Sequence, residues 1–483
     1  SYAFRVNYGY KGKYLATLST RWDGSSKFKE GHRWGMFPSA ALAWRISEEN
    51  FVKNSMSWIN NLKLRVSYGA TGNNASVGNY ETSFLANQLY YSGFGKGFGP
   101  GIMNELLSWE TTTEFNTGLD FAFLGGRVSG TFDWYTKTSK DLLMDMKLLL
   151  EQGSYNGSMT ANVGKVRNSG VELMLKEILF QSKDFYWDIT ASFAKNKNEI
   201  LELQGKKEDM RAERWFIGQP IDVAYDLKQL GICTQAKANE LVTINGVTKT
   251  NSEWYGYFEG CMTYEDANKD GKLNDDDRQI LGHALPKWTG NLSTTLSYKN
   301  WDFSMSINTK QGHLLYSPFM EEFTNYSDRG RTKLNMDFYI PEGAPIFNYT
   351  WDGKTTTSLT SNPNIVADHT TVGSYPYPFD GAAYNYGGGN GWYTSKNKEF
   401  ESNNYVDASY WKIKNITVGY TFSKKLIKKI GLENLRIYAN IVNPFTFTDY
   451  KGFDPEWADA KISDGTGAVS YTHLRAHETL ANL

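Results

Sequence analysis

Residues 115–134 read FNTGLDFAFLGGRVSGTFDW and carry the pattern that decides the fold. Larger or apolar residues alternate with polar or small ones in the first half, and the pattern resumes after Gly125 and Gly126. Successive side chains of a β-strand point to opposite faces, so each half reads as a strand with two chemically distinct faces. A Gly-Gly pair between two such runs is typical of a hairpin turn. The segment therefore predicts two antiparallel strands.

The same alternation recurs along the chain and predicts about fourteen strands in an all-β fold. In each run the second face is charged, hydroxylic or small. Further runs place on one face Leu62, Leu64, Val66 and Tyr68; Trp187, Ile189, Ala191 and Phe193; Phe303, Met305 and Ile307; and Leu435, Ile437, Ala439 and Ile441.

The connections between these strands fall into two classes. Short turns are predicted at residues 11–13, at Gly125 and Gly126, at residues 182–184 and at Asn300. Long connections are predicted at about residues 92–110, 201–287 and 313–410. Short turns on one side and long loops on the other are typical of outer-membrane barrels, whereas such long structureless loops argue against a compact soluble domain.

Composition is consistent with a barrel and leaves one soluble class open. Aromatic residues make up 15% of the 483 residues and mean hydropathy is -0.52. This combination fits either a carbohydrate-binding β protein or a transmembrane β-barrel with aromatic girdles. A β-sandwich would also alternate, but its strands usually have about five or six residues, shorter than many runs here. The net charge of -1 gives no nucleic-acid footprint.

An acidic segment at residues 266–277, DANKDGKLNDDD, follows the pattern of a calcium-binding loop. Oxygen ligands stand at positions 1, 3 and 5, glycine at 6, a backbone carbonyl at 7 and a carboxylate at 12. The sequence therefore predicts a structural cation site, with Ca²⁺ as the expected ion and Mg²⁺ as the alternative; a solvated acidic turn is the competing interpretation. The predicted ligands are Asp266, Asn268, Asp270, Lys272 through its carbonyl, Asn274 and Asp277.

A second candidate site lies in the last long connection, beside the glycine-rich residues 387–391. Aromatic rings there could stack on sugar rings or on substrate side chains, or pack against neighbouring loops or a partner. The residues concerned are Tyr384, Tyr386, Trp392 and Tyr393. The glycines lack the Lys-Ser/Thr that follows a phosphate cradle.

The sequence offers no catalytic motif. It has no Gly-x-Ser-x-Gly elbow and no His-Glu-x-x-His, and no pair of its many carboxylates stands out. We therefore expect no enzyme, with a β-rich glycoside hydrolase as a remote alternative. The two cysteines, Cys233 and Cys261, allow one disulfide or two unpaired thiols.

Several phrases, in order along the chain, resemble the SusC/RagA-type TonB-dependent transporters. Each phrase is weak alone, but together they extend over nearly the whole chain to about residue 456. They are YLATLSTRWDGSS at 14–26, RWGMFPS at 33–39, AWRISEE at 43–49, WINNLKLRVSYGATGN at 58–73, NVGKVRNSGVE at 162–172, YWKIKNITVGY at 410–420 and GFDPE at 452–456.

The resemblance implies an architecture and a set of partners. The fold would be a transmembrane antiparallel β-barrel in the Gram-negative outer membrane, with residues 1–456 forming part of a 22-stranded barrel whose plug domain is missing. The function would be active import of glycan oligosaccharides or peptides. A SusD-like surface lipoprotein, the TonB–ExbB–ExbD system and outer-membrane lipid would be partners. The alternative is a soluble extracellular β-sandwich module that binds glycans and is stabilised by calcium.

The two ends of the chain depart from the resembling family. The first residues read as a strand already in progress, so we expect a fragment. Residues 457–483 form an atypical tail, and from about residue 470 they have neither alternation nor a terminal aromatic residue. We expect that this last part is artefactual.

Overall fold

The computed structural model describes residues 1–74, 86–90, 96–100, 104, 106–147, 158–317, 339–343, 368–373, 405–450, 452 and 454–456. The chain divides into two compact units. The first comprises Ser1–Ile221, Lys287–Gln311 and Trp411–Phe447, and the second comprises Asp222–Pro286, Gly312–Tyr410 and Thr448–Leu483.

Among the residues just given, twelve strands form one sheet, called the main sheet below. They are β1 Tyr2–Tyr10, β2 Tyr14–Gly24, β3 Trp34–Arg45, β4 Ile59–Asn73, β7 Glu110–Phe123, β8 Val128–Lys147, β9 Ser158–Gln181, β10 Phe185–Glu202, β17 Trp288–Tyr298, β18 Trp301–Gln311, β21 Tyr410–Thr421 and β22 Arg436–Thr448.

The remaining elements lie in the connections. The strands are β5 Ala86–Tyr90, β6 Lys96–Pro100, β11 Val223–Asp226, β12 Gln229–Ile232, β13 Leu241–Ile244, β14 Val247–Thr250, β15 Met262–Tyr264, β16 Gln279–His283, β19 Leu314–Tyr316 and β20 Tyr405–Asp407. The helices are α1 Asn50–Ser55, α2 Gln235–Asn239, α3 Asn251–Tyr255 and α4 Lys424–Ile427, with 3-10 turns at Ile46–Glu48, Arg211–Glu213, Asp275–Asp277 and Lys428–Ile430.

The order of strands in the main sheet follows the chain. Each strand pairs with the next main-sheet strand in sequence, and the successive pairs from β1 to β18 are antiparallel. The predicted hairpin is confirmed, because Phe123 lies opposite Val128 and Thr117 opposite Trp134. The prediction of about fourteen strands was too low: the described residues contain 22 strands, of which 12 form the main sheet and ten form short two-stranded sheets in the connections.

The register brings apolar side chains together on one face of the main sheet. A single row runs across five strands, from Leu64 to Leu119, Phe132, Leu173 and Phe193. The alternation in the sequence therefore becomes a continuous apolar surface. Its larger side chains remain exposed: Phe132 is 42% and Phe193 38% exposed. Within the described residues the large side chains of this face stay exposed instead of packing into a protein core, so the face is available to another apolar medium.

Aromatic rings are concentrated at both ends of the apolar face. At the short-turn end, Tyr14 stacks on Trp44 with ring centroids 6.5 Å apart, and Trp301 contacts Tyr420 at 4.8 Å. At the other end, Tyr2 stacks on Trp34 at 5.8 Å. Strand β1 runs from Tyr2 to Tyr10, which corresponds to about 27 Å at about 3.4 Å per residue. Allowing for strand tilt, this matches the height of an apolar band flanked by aromatic girdles.

Short and long connections lie at opposite ends of the main sheet. The turns at Gly125 and Gly126, at residues 182–184 and at Lys299 and Asn300 join neighbouring strands at one end. The connections from β4 to β7, β10 to β17 and β18 to β21 lie at the other. The predicted asymmetry is confirmed.

A carboxylate ties two connections together at the short-turn end. Glu49 precedes α1 and accepts hydrogen bonds from the Tyr14 hydroxyl at 2.7 Å, the Lys13 ammonium at 2.9 Å and the Trp44 indole N–H at 3.2 Å. These hydrogen bonds, with Tyr14 contributing most, lower the pKa of Glu49 from 4.5 to about 2. The ionised carboxylate thus fastens the β3–β4 connection to the β1–β2 hairpin.

The second unit has its own small clusters. Strands β11 and β16, β12 and β15, and β13 and β14 form two-stranded antiparallel sheets. One cluster contains Leu227, Met262 and Tyr264, and another contains Cys233, Ala238, Tyr257 and Cys261. In the part of the chain that the structure describes, no helix has the length and apolar character needed to cross a membrane.

A charge on the apolar face should destabilise the assembled protein. Leu18 lies midway along β2, is 60% exposed, and pairs with Val6 and Ala40. We expect Leu18→Arg to cost about 2–4 kcal/mol of unfolding free energy in lipid, because the guanidinium would enter hydrocarbon. The matched control is Thr17→Arg on the opposite face, which should change it by much less. Urea titration in phospholipid vesicles measures both; equal losses would contradict the assignment of faces.

The Glu49 cluster should make stability depend on acid pH. Folding lowers the pKa of Glu49, so the stability that its ionised carboxylate contributes is present above about pH 4.5 and is lost as the pH falls through about 2. Wild type should therefore lose more stability over this window than Glu49→Gln, which cannot titrate. Thermal unfolding of both proteins at several pH values isolates this carboxylate from the others. If the stabilities of wild type and Glu49→Gln fall in parallel as the pH is lowered, the pKa of Glu49 is the same in the folded and unfolded states and the prediction is wrong.

Candidate functional site

The polar face of the main sheet forms the first candidate site. A cavity of about 860 Å³ lies against strands β1 to β4 and β7. Small and hydroxylic residues line much of it because they occupy the alternate positions of these strands. Ser19 and Ser39, for example, share a hydrogen bond of 2.6 Å between their hydroxyl oxygens. Arg5, Arg21, Asp23 and Glu114 add charges. Such a surface offers many hydrogen-bonding groups to a solute.

An ion-pair cluster spans three strands on the same face. The guanidinium of Arg65 on β4 lies 2.8 Å from the Asp120 carboxylate and 3.0 Å from that of Asp133. Gly118 makes this approach possible, since a Cβ there would stand 2.6 Å from the Arg65 Nη2 atom. Lys63 lies 3.5 Å from Asp120 and completes the balance of two positive and two negative charges.

Further charges on the main sheet are paired in the same way. Lys176 on β9 lies 3.3 Å from Asp188, and Arg436 binds both carboxylate oxygens of Asp302 through its Nε and Nη2 groups. Each positive group has a carboxylate beside it. The polar face therefore presents hydrogen-bonding groups with locally compensated charge, which suits neutral or zwitterionic solutes better than strongly charged ones.

The acidic segment, residues 266–277, is the second candidate site. Its carboxylates fold back over the backbone: Asp266 accepts from the N–H groups of Asp270 at 3.2 Å and Gly271 at 2.8 Å. Asp277 accepts from the N–H groups of Ala267 at 2.9 Å and Asn274 at 3.0 Å. These bonds draw positions 1 and 12 of the segment toward the same turn.

The other predicted ligands take part in the same folded segment. Asn268 accepts from the Asp270 N–H at 2.9 Å, and Asp270 accepts from the Lys272 N–H at 2.8 Å. Asn274 caps the 3-10 turn Asp275–Asp277 by accepting from the Asp276 N–H. Gly271 has a φ of 84°, which a residue with a Cβ rarely adopts, so glycine is needed at position 6.

The segment is anchored to the second unit by buried contacts. Asp277 has no exposed surface, and Tyr255 at the end of α3 donates its hydroxyl to Asp266 at 2.9 Å. Burial, and then this bond to Asp266, raise the pKa of Tyr255 well above its usual range. The phenol therefore stays protonated and acts as a donor throughout the physiological range.

Of the two sites predicted from the sequence, the described residues include the acidic segment but not the four aromatic residues. The structure brings the six predicted metal ligands into one loop, but the described ranges contain no group of three or more His, Cys, Asp or Glu side chains arranged to hold a metal ion. The cation site stays a prediction. The four aromatic residues predicted to bind substrate, Tyr384, Tyr386, Trp392 and Tyr393, and the tail 457–483 lie outside the described residues.

Sequence reasoning missed the cavity on the polar face. Its signal was present in the hydroxylic and small residues that alternate with the apolar ones along β2 to β4. The alternation predicts which residues share one face of a strand, but it does not predict which strands become neighbours. The residues that line a cavity across several strands therefore do not follow from it.

Comparison with known proteins places these features in context. A family model described as TonB dependent receptor-like, beta-barrel matches residues 1–339. The chain is 32% identical to TonB-dependent receptor P39 of Formosa agariphila, covering 94% of this chain and 43% of that protein. It is 31% identical to TonB-dependent receptor SusC of Bacteroides thetaiotaomicron, covering 94% and 41%. The chain thus spans less than half the length of these relatives.

A solved structure shows the same fold. The structure of the RagAB peptide transporter superposes with a TM-score of 0.67 at 24% identity, over 94% of this chain and 44% of the matched chain. At this identity the likeness concerns the fold alone.

Proposed function

The chain belongs to the TonB-dependent receptor-like β-barrel family, in its SusC/RagA group, and we propose that it forms barrel wall in a transporter that imports glycan oligosaccharides or peptides. Family members of this kind are outer-membrane proteins, and the main sheet is suited to that location. The chain spans 43% of the length of TonB-dependent receptor P39 and 41% of that of SusC. The activity and partners proposed below therefore belong to a whole protein of which this chain would be a part.

The observation that supports transport is the contrast between the two faces of the main sheet. One face exposes rows such as Leu64, Leu119 and Phe132 between two belts of aromatic rings. The other carries the hydroxyl-lined cavity and the compensated charges around Arg65. Lipid would contact the first face, and the solute would move along the second. A soluble β-sandwich would bury the apolar face, which here stays exposed.

We propose no covalent chemistry for this chain. The matched relatives are receptors of the TonB-dependent class. Import would need only that the solute binds on the polar face near the long connections and is released at the short-turn end. Energy would come from the TonB–ExbB–ExbD system. A SusD-like surface lipoprotein would cover the end of the main sheet that carries the long connections.

The class of substrate is narrowed by charge. Paired charges such as Arg65 with Asp120 and Asp133 leave little net field, so uncharged sugars or zwitterionic peptides would cross without a large electrostatic barrier. Hydroxyl groups such as those of Ser19 and Ser39 would exchange hydrogen bonds with a passing solute.

A larger side chain in the cavity of the polar face should slow import, whereas a larger side chain on the lipid-contacting face should not. Ser67 lines the cavity on β4, whereas its neighbour Val66 faces the other way beside Leu42. We expect Ser67→Trp to reduce uptake several-fold, because the indole would fill part of the cavity, and Val66→Trp to leave it near wild type. Uptake of fluorescent oligosaccharides and peptides by cells producing equal amounts of full-length protein measures this.

Two further outcomes complete the uptake experiment. Collapse of the proton gradient with a protonophore should abolish import in wild type if TonB supplies the energy. Equal uptake by Ser67→Trp and Val66→Trp, or uptake that persists without the gradient, would contradict the proposed route.

We also propose that residues 266–277 bind one structural Ca²⁺, with Mg²⁺ as the competing ion. The carboxylates of Asp266 and Asp277 each accept backbone hydrogen bonds, yet carboxylate oxygens have further lone pairs that a cation could use. Asp at position 12 has a shorter arm than the usual Glu, so moderate affinity is expected.

Calorimetric titration of the full-length protein with Ca²⁺ should show binding at millimolar concentration or below. Asp277→Asn should weaken this binding at least tenfold by removing a charge from the site, while Asp276→Asn, at an exposed and non-ligating position, should retain it. Limited proteolysis with and without chelator checks that the loop is folded in both variants. No heat of binding in wild type would refute the site.

A further inference from the structure

Two buried cysteines lie side by side in the second unit. Cys233 follows β12 and has no exposed surface, and Cys261 precedes β15 and is 2% exposed. They are the only cysteines of the chain. The structure holds them as two thiols.

The sheet register places the two cysteines directly opposite each other. Ile232 pairs with Met262 in the antiparallel β12–β15 ladder, and one step further along it reaches Cys233 and Cys261. The ladder continues there, because the Cys233 N–H donates to the Cys261 carbonyl at 2.8 Å and the Gly260 N–H donates to the Cys233 carbonyl at 2.8 Å. The second bond comes from Gly260 rather than from Cys261, so the ladder is irregular beside this pair. Residues opposite each other on antiparallel strands generally have Cα atoms about 4.5–5.5 Å apart, inside the range that a disulfide spans.

The side chains also meet. Both cysteines belong to one buried cluster with Ala238 and Tyr257; the Cys233 thiol donates to the Thr234 carbonyl at 3.5 Å, and the Cys261 sulfur accepts from the Phe258 N–H at 3.4 Å.

We propose that Cys233 and Cys261 form a disulfide in the mature protein. The reaction is a thiol–disulfide exchange with a protein disulfide oxidant of the periplasm. The Cys233 thiolate attacks one sulfur of the oxidant and releases its other sulfur as a thiolate. Cys261, once deprotonated, then attacks the Cys233 sulfur of the mixed disulfide. The chain loses two protons and two electrons, and the oxidant gains them as a dithiol.

The oxidising periplasm and the burial of the two thiols together determine when the disulfide forms. Outer-membrane proteins pass through an oxidising periplasm, where disulfides form and persist. The thiols are inaccessible in the folded unit, so exchange takes place before the cluster around Ala238 and Tyr257 closes. After closure the same burial protects the bond from reductants.

The disulfide would fasten the base of a 27-residue excursion. Residues 234–260 leave β12, form α2, the β13–β14 hairpin and α3, and return to β15. The acidic segment begins two residues after β15, and Tyr255 of the excursion holds Asp266. A covalent link at Cys233 and Cys261 would therefore fix both the excursion and one support of residues 266–277.

The test uses full-length protein extracted from outer membranes, with thiols trapped by acid at harvest. Denatured protein is treated with a maleimide-coupled polyethylene glycol, with and without prior reduction. Adducts are counted relative to the double Ala variant. We expect no additional adduct without reductant and two additional adducts after reduction. Trypsin cleavage after Lys237 or Lys249, between the cysteines, should leave the fragments joined until reduction.

Variants and a second strain serve as controls. The double Ala variant gives the baseline number of adducts in each condition, and Cys233→Ser should give one more than that baseline without reductant. Wild type from a strain that lacks the periplasmic thiol oxidase should give two more than the baseline without reductant. Two adducts above the baseline from unreduced wild type in the oxidase-containing strain would overturn the proposal. The uptake assay reads out separately, so loss of the disulfide and loss of transport are distinguishable.

Discussion

The register of the main sheet is the constraint on which the other features depend. Side chains alternate strictly along each strand, so a slip of one residue would move Arg65, Asp120 and Asp133 to the apolar side and Leu64, Leu119 and Phe132 to the polar side. Ion pairs that are compensated on the polar face would then enter hydrocarbon, and the apolar rows would line the cavity. The short turns fix this register at one end of the sheet, and the hydrogen bonds of Glu49 add a further constraint there.

Fixing the register at one end leaves the other end free to vary. The long connections join strands that are already neighbours in the main sheet, so their lengths do not alter its hydrogen bonding. The connection between β10 and β17 carries small sheets and clusters of its own, such as that of Leu227, Met262 and Tyr264. Specialised features can therefore develop there without disturbing the wall. This division explains why the segments with unusual chemistry, the acidic loop and the cysteine pair, both occur in that connection.

The sequence predicted the parts of the structure that depend on local periodicity. The faces of β4, β7, β8 and β10, the glycine hairpin and the division into short and long connections all follow from alternation and turn residues. The cavity against β1 to β4 could not be predicted, because it depends on five strands becoming neighbours. The opposition of Cys233 and Cys261 was equally hidden: 27 residues separate them, and only the pairing of Ile232 with Met262 places them together. For residues 266–277 the ligand spacing was visible, but not the anchoring of Asp266 by Tyr255.

Strand β15 links the two features of the long connection. Its first residue, Met262, follows Cys261, and its last, Tyr264, stands two residues before Asp266. Tyr264 is held by Tyr257, whose hydroxyl accepts from the Tyr264 N–H at 2.8 Å and donates to the Tyr264 carbonyl at 2.9 Å. The cysteine cluster and the acidic segment are therefore joined by three buried residues with little freedom to move. A constraint on the backbone at Cys261 is transmitted to Asp266 through this strand, so a cross-link there would reduce the entropy lost when the acidic segment closes around a cation.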